Sequence, residues 1–440
     1  MKRICFFLLR VLFVIQSIYS LQAQNTSGTD FWLTFGKNST CFYTEVDLQI
    51  RIVGGDLPTT GTIAFTELGT SIPFNLLPQE VFTYNLNDDE KQAVYNTTMG
   101  KFSKSIRITT APNQPVTVYA LNQAMMSADA TNIFPITALK TDYYHISYTH
   151  SFGCLDAYAV IATENNTKIY HDGSEVEMLN AGEVYYLTSS TDMTGACITA
   201  DYPIAFFAVS QGANIPATYN ASDNLMQQLA SVSTWGNNFF VPVSHLTRDI
   251  VRIVASQDNT NIMQTGGTLL YPVGGQPALT GLQAGQFVEL EVTLANKGCY
   301  IQANKPVGVC TYLTSISYNG LGISDPSQAW LPAIEQMRKS ALIAPFIPVG
   351  ATQINQHRTL VVTPTATKDD TRVSIGGSSL EPLSDGTWYD NDMGMSFYNM
   401  QLTNQTASYY FTNTAGLIIM CYGVGNSESY YYLADPPCAN

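Results

Sequence analysis

The sequence predicts an all-β protein made of tandem, related antiparallel β-sandwich-like units that pack as one rigid body. Three observations predict it. Short stretches of about five residues, separated by Gly, Pro, Asn and Asp, carry the spacing of antiparallel strands. Val, Ile, Tyr, Phe and Thr, which suit a pleated, half-buried surface, are frequent. A turn motif also recurs: residues 162–169 read ATENNTKI, 255–262 read ASQDNTNI and 366–373 read ATKDDTRV. Thr167, Thr260 and Thr371 hold the same place in each and stand 93 and 111 residues apart, a domain-sized interval. A sandwich fits a unit of that size. A propeller blade needs only about 45 residues, which makes a β-propeller-like arrangement the alternative.

Other landmarks recur in the same order. Strands ending in Pro occupy 198–206 (ITADYPIAF) and 301–309 (IQANKPVGV), with an earlier copy at 108–118 (ITTAPNQPVTV) and a degenerate fourth at 417–421. A polar bend leads into an apolar segment at 127–136, 222–229 and 324–334, with Asp129, Asp223 or Asp325 soon after its Ser. A Gly turn precedes a strand at 181–184 (AGEV) and 284–287 (AGQF). These landmarks set expected units at 24–123, 124–211, 212–314 and 315–440, after a leader at 1–23.

In the first unit, 28–38 opens as a strand, 46–53 alternates apolar and polar, and 62–65 and 81–86 are further strands. Residues 88–93 form a short polar excursion with a helical look, and 105–121 form two strands hinged at 111–114. The second unit places strands at 143–148, 156–163, 168–170, 184–188 and 197–210. The third places them at 239–243, 250–256, 261–263, 285–294 and 299–314. The fourth places them at 340–345, 357–363, 372–375, 396–402 and 408–424. Only 223–229 and 328–338 have a helical look beyond that excursion. No Gly/Ser-rich linker separates the units.

The leader has Lys2 and Arg3, a mostly apolar run at 4–18 and small residues at 20–23, the pattern of a signal peptide cleaved near Gln24. No later run is apolar and long enough for a transmembrane segment. The expected location is therefore secreted, at the cell surface or periplasmic. Only 12% of residues are charged, and the net charge of -14 argues against nucleic acid, whose phosphates need basic patches. Eight cysteines include Cys5 in the leader and leave an odd number in the mature chain. Cys154 with Cys197 and Cys299 with Cys310 are candidate pairs, but connectivity stays open.

Catalytic and metal motifs are missing. Five histidines, His145, His150, His171, His245 and His357, show no helical His-Glu-x-x-His and read as surface or turn residues. Ser244, His245 and Asp249 offer triad residue types without a G-x-S-x-G elbow. Glu289 and Glu291 share a strand face at a spacing that marks solvent, and Asp369-Asp370 sits at the repeated turn, where turn hydrogen bonding accounts for it. Calcium would find oxygen ligands there, but the EF-hand pattern is absent. No cofactor or metal is implied.

The ordered set GTDFWLTFGKN (28–38), SDNLMQQLASVSTWGNNFFVPVS (222–244), IVASQDNT (253–260) and IQANKPVGV (301–309) resembles the IgGFc-binding protein N-terminal domain family. That family occurs in mucus-associated animal proteins and in secreted or surface proteins of Bacteroidota. The chain departs from its pattern at Ala230, where the motif has Pro. The resemblance implies a non-enzymatic extracellular binding or adhesion module. Its partner would be a host glycoprotein, a mucus component such as mucin, an immunoglobulin or a surface protein. The alternative is a carbohydrate-binding or carbohydrate-active protein whose paired carboxylates sequence spacing hides. Recognition is expected on the bend segments, which differ between units on a common scaffold. Tyr219, Asn220, Asp223 and Trp235 combine aromatic area with hydrogen-bonding groups and are the candidate ligand-binding residues. For Trp235, core packing at a junction between units is the competing role.

Overall fold

A computed structural model describes residues 27–38, 45–151, 153–271, 279–349 and 354–434. The leader at 1–23 and its cleavage site lie outside the described residues. The expected all-β class holds: the chain forms successive antiparallel sheets, with one short helix at Asp88–Val94, a single-turn helix at Ile316–Asn319 and a few 3-10 turns. Asn87 caps the first helix by accepting from Glu90 N, and Glu90 caps back onto Asn87 N.

Each unit is organised on one long strand that crosses between two sheet surfaces. These are Cys197–Asn214, Cys299–Leu313 and Tyr409–Gly425. In the first unit the same strand is broken into Ile106–Thr110 and Val116–Ala124, at the expected hinge. The first part of each long strand pairs with the strand after the Thr turn, for example Thr167–His171 or Arg372–Ile375. The second part pairs with the strand before that turn, for example Asp156–Ala162, Arg248–Ala255 or Ile354–Pro364. The turns at 162–169 and 255–262 therefore occupy like places.

The Thr side chains tie these turns. Thr167 Oγ1 donates to Glu164 O at 2.8 Å and Thr260 Oγ1 to Gln257 O at 2.6 Å, each closing a loop of three residues. Thr371 accepts instead, from Asn413 Nδ2 at 3.0 Å. Gly182 and Gly285 follow with φ of +85° and +80°, a backbone that glycine adopts freely. Their N–H groups reach back to Ala162 O and Ala255 O.

Two expectations are corrected. Residues 223–229 and 328–338 are not helical: Ser222–Gln228 and Ser327–Trp330 are strands, and only Ile334–Gln336 turns as a 3-10 segment. Apart from the half-buried Ser222, both strands are buried throughout, so they show no solvent-facing stripe, and that lack of alternation removed the strand signal. The bend segments are also not surface loops. Ser127–Ile133, Ser222–Gln228, Ser327–Trp330 and Glu428–Leu433 each turn back antiparallel on the long strand before them. By pairing, each belongs with the unit it closes, across the limits expected at 123/124, 211/212 and 314/315.

These four closing strands form the centre of the molecule. Each packs on the next, and the fourth packs on the first. Register makes Ala130, Met226, Gln328 and Tyr431 equivalent, opposite Leu121, Val209, Tyr312 and Tyr422. All four backbone N–H groups converge on one side chain, Asp129. Oδ1 accepts from Ala130 N at 2.8 Å and Tyr431 N at 3.3 Å; Oδ2 accepts from Met226 N at 3.0 Å and Gln328 N at 3.1 Å. A fourfold pseudo-axis thus passes through the Asp129 carboxylate. The closed ring of units has the cyclic order of a propeller, with the second to fourth units each built on one sheet of seven or eight strands.

The seams are packed. Gly100–Phe102 of the first unit adds a strand to the sheet of the second. Arg252 joins the third unit to the second through Asp192 at 2.8 Å, while Glu289 accepts from Arg252 Nε at 2.9 Å and from Tyr148 Oη at 2.8 Å. Tyr119 Oη donates to Leu342 O at 2.8 Å and its ring lies 4.6 Å from that of Tyr432, closing the fourth unit on the first.

Candidate functional site

The hairpins joining long and closing strands gather at one end of the pseudo-axis. In units one and four they are two-residue turns, Met125–Met126 and Asn426–Ser427, with Met126 and Ser427 at φ +58° and +57°. In units two and three they expand to 215–221 and 314–326. Hydrogen bonds string these loops together. Ser315 N donates to Ile215 O at 2.8 Å, Ser315 Oγ to Ala221 O at 2.8 Å and Ser317 Oγ to Asn220 O at 2.5 Å. Ser324 N donates to Gly425 O at 2.7 Å, and Met126 N to Glu428 Oε1 at 3.1 Å.

Large apolar side chains stand out from this end. Met125 is 60% exposed, Met126 43%, Tyr219 39% and Leu321 49%, contributed by loops of three different units. Tyr219 meets the Tyr318 ring edge-on at 4.6 Å, and the Arg248 guanidinium lies 4.2 Å over the other aromatic, Tyr318. Glu291 fixes both, accepting from Tyr318 Oη at 2.5 Å and Arg248 Nε at 2.6 Å. The loop that carries Tyr219 is thereby held against the next unit before any partner arrives.

Beneath the loops lies a level of acids. Three residues before the N–H groups that bind Asp129 stand Ser127, Asp223, Asp325 and Glu428, one per unit and all buried. Asp223 Oδ1 accepts from its neighbour Asn224 N at 2.7 Å. Burial, reinforced by the charge of Asp325, raises the Asp223 pKa well above the usual carboxylate range. Burial, with help from Glu428, pushes Asp325 up to about 8 against a backbone hydrogen bond that lowers it.

The sequence-predicted residues therefore separate. Tyr219 and Asn220 lie exposed on the second hairpin. Asp223 is 0% exposed and Trp235 2%, so neither offers a surface to a partner. Asp223 is buried because the bend is a closing strand rather than a loop. Trp235 fills the junction between units two and three: its Nε1 donates to Ala230 O at 3.1 Å, and its ring lies 6.0 Å from Trp330 and 5.9 Å from Tyr144. Met125, Met126 and Leu321 were not singled out by sequence; the signal was apolar residues at hairpin tips, where polar ones are usual.

Other chemistry is committed to structure. Ser244 Oγ donates to Asp249 at 2.6 Å, but His245 turns to Tyr422 Oη at 3.0 Å, so these three residues form no relay. His145 and His357 are buried rather than surface residues, against Asp156 and Tyr430. Glu289 and Glu291 are corrected from solvent-facing acids to partners of Arg252 and Arg248. A polar recess of about 480 Å³ is lined by His171, Asp172, Thr191, Asp192 and Thr194, and its Asp192 is spent on Arg252. Cys197, Cys299, Cys310 and Cys421 are free thiols, so neither candidate pair is bridged. Among the described residues no three His, Cys, Asp or Glu side chains converge as metal ligands, and no helix is long and apolar enough to cross a membrane.

Comparison with known proteins agrees with the motif set. The IgGFc binding protein family profile matches residues 129–423, from the axial Asp129 to the last long strand. The human IgGFc-binding protein is 25% identical over 334 residues, covering 72% of this chain and 6% of that protein. The chain thus spans a small part of the relative it matches. It belongs to the IgGFc binding protein family.

Proposed function

We propose that the chain is a non-enzymatic extracellular binding module that recognises a glycoprotein through its hairpin-loop end. The observation that carries this reading is the projection of Met125, Met126, Tyr219 and Leu321 from adjacent units on a closed, rigid ring. Exposed apolar and aromatic side chains on a pre-ordered frame suit protein contact, because little side-chain or loop entropy remains to be lost on binding. The name of the human relative supports immunoglobulin Fc as one ligand to try, with mucin or another surface glycoprotein as further candidates. Asn220, exposed beside Tyr219, supplies hydrogen-bonding groups at the rim.

The test is biolayer interferometry of the secreted chain against purified Fc and purified mucin. Binding to either, weakened about tenfold or more by Tyr219→Ala combined with Leu321→Ser, is the expected outcome. Binding that the double substitution leaves unchanged would move the site elsewhere. No binding to either glycoprotein would overturn the ligand class.

A further inference from the structure

Arg51 sits at the seam where the fourth unit closes on the first, and it is 0% exposed. A guanidinium cannot give up its charge inside a protein, so burial demands a counter-charge and acceptors for five N–H groups. One acceptor is present, Gln405 O, at 3.1 Å from Nη2. Nε and Nη1 have no partner. Among the described residues no carboxylate reaches Arg51 within ion-pair distance. The titratable groups that act on its charge are Tyr432, Tyr430 and Cys421. Burial keeps these neutral: the Cys421 thiol is pushed up to about 12 and both phenols well above their usual value.

A second unpartnered donor faces the same seam. Tyr430 Oη accepts from Phe346 N at 3.2 Å and shares a hydrogen bond with His357 Nδ1 at 2.7 Å. Burial first, and then the Arg51 charge, lower the His357 pKa to about 4, so the ring is neutral. With Tyr430 as the donor to Nδ1, the ring carries its proton on Nε2, which also has no partner and is buried. The seam therefore holds one uncompensated positive charge and donors from two units, with no acceptor to match.

We propose that Arg51 and His357 form a buried site for a small inorganic anion of chloride size, which bridges the first and fourth units and seals the ring. A water molecule would accept hydrogen bonds but would leave the guanidinium charge unbalanced. A larger oxyanion would need more donors than the seam supplies. The proposal is independent of the hairpin-loop reading, since it concerns closure of the ring and not partner contact.

Crystals of the mature chain grown in sodium bromide test it directly by anomalous diffraction. A bromide peak in contact with Arg51 Nε or Nη1 and His357 Nε2 is expected; a non-anomalous water peak, or side chains packed with nothing between them, would overturn it. In solution the thermal midpoint should rise by about 2 °C or more when chloride replaces gluconate at constant ionic strength. The Arg51→Met variant should lose that dependence. Equal midpoints for the wild-type chain in the two salts would refute the site, and if Arg51→Met fails to fold, the bromide experiment decides.

Discussion

Replacing Asp129 by Asn should destabilise the whole ring, although it changes one atom. The carboxylate accepts four backbone N–H groups, two at each oxygen, and three of them come from other units. Burial raises the Asp129 pKa well above the usual carboxylate range, against the four donors, which lower it. Because every polar neighbour donates, the ionised form is the one the site satisfies. An amide keeps one oxygen and turns the other into a donor, leaving two buried N–H groups facing an NH2. An unsatisfied buried donor costs roughly 1–3 kcal/mol, which puts Asp129→Asn at about 2–6 kcal/mol. Asp129→Ala orphans all four and should prevent folding. Guanidinium unfolding followed by tryptophan fluorescence measures the loss. Amide exchange adds a sharper readout: protection should fall at two of Ala130, Met226, Gln328 and Tyr431, in different units. A loss below about 1 kcal/mol, or faster exchange confined to the first unit, would refute the shared axial role.

Three further outcomes follow from the same geometry. A Cβ at Gly308 would lie 2.5 Å from the Trp235 ring, so Gly308→Ala should cost about 1–3 kcal/mol by overpacking; combining it with Trp235→Phe should recover part of that loss, and strictly additive losses would count against the contact. Thr260→Ala removes the bond to Gln257 O and should cost about 1 kcal/mol, with an unchanged unfolding midpoint as the contrary result. Asp325, raised to about 8 in the folded chain against 3.8 unfolded, makes the folded state the stronger proton binder between those values. Its stabilising effect is complete below pH 4 and is lost as pH rises to 8. The thermal midpoint should therefore fall over that range, and Asp325→Asn should flatten the fall; an equally steep decline in the variant would rule this cause out.

Much of the fold was legible because strand and turn signals are local. Arg372–Ile375 matches its expected limits, and most other major strands do so within a few residues. Thr167 and Thr260 were legible as turn residues, since a hydroxyl three places from a carbonyl has one simple use; Thr371 holds the same place but accepts from Asn413 instead. Edge strands were harder. Thr70–Leu76 and Ser174–Leu179 are mostly exposed, and they owe their strand state to a neighbour's free edge rather than to their own burial pattern. The closing strands failed for the opposite reason. Ser222–Gln228 is polar in sequence yet buried from Asp223 onward, and its Gln227 side chain bonds to other closing strands: Gln227 Oε1 accepts from Trp330 N at 3.0 Å. No periodicity within one unit announces a partner in the next.

That same feature explains why half of the expected site lay in the interior. Asp223 and Trp235 carry the residue types of a binding surface, yet an axial core assembled from four chain segments needs polar groups to satisfy strand edges that meet end on. Amide and carboxylate side chains there do the work that extra backbone pairing does within a sheet. Polarity was therefore a poor guide to exposure near the axis, whereas the exposed apolar side chains lie at the hairpin tips. Met125 and Met126 occupy a two-residue turn, where Asn and Gly are the usual choice, and Met126 accepts a left-handed backbone to remain there. A turn that accepts a left-handed backbone and exposes two methionine side chains is the physical ground on which that end of the ring is proposed to meet a partner.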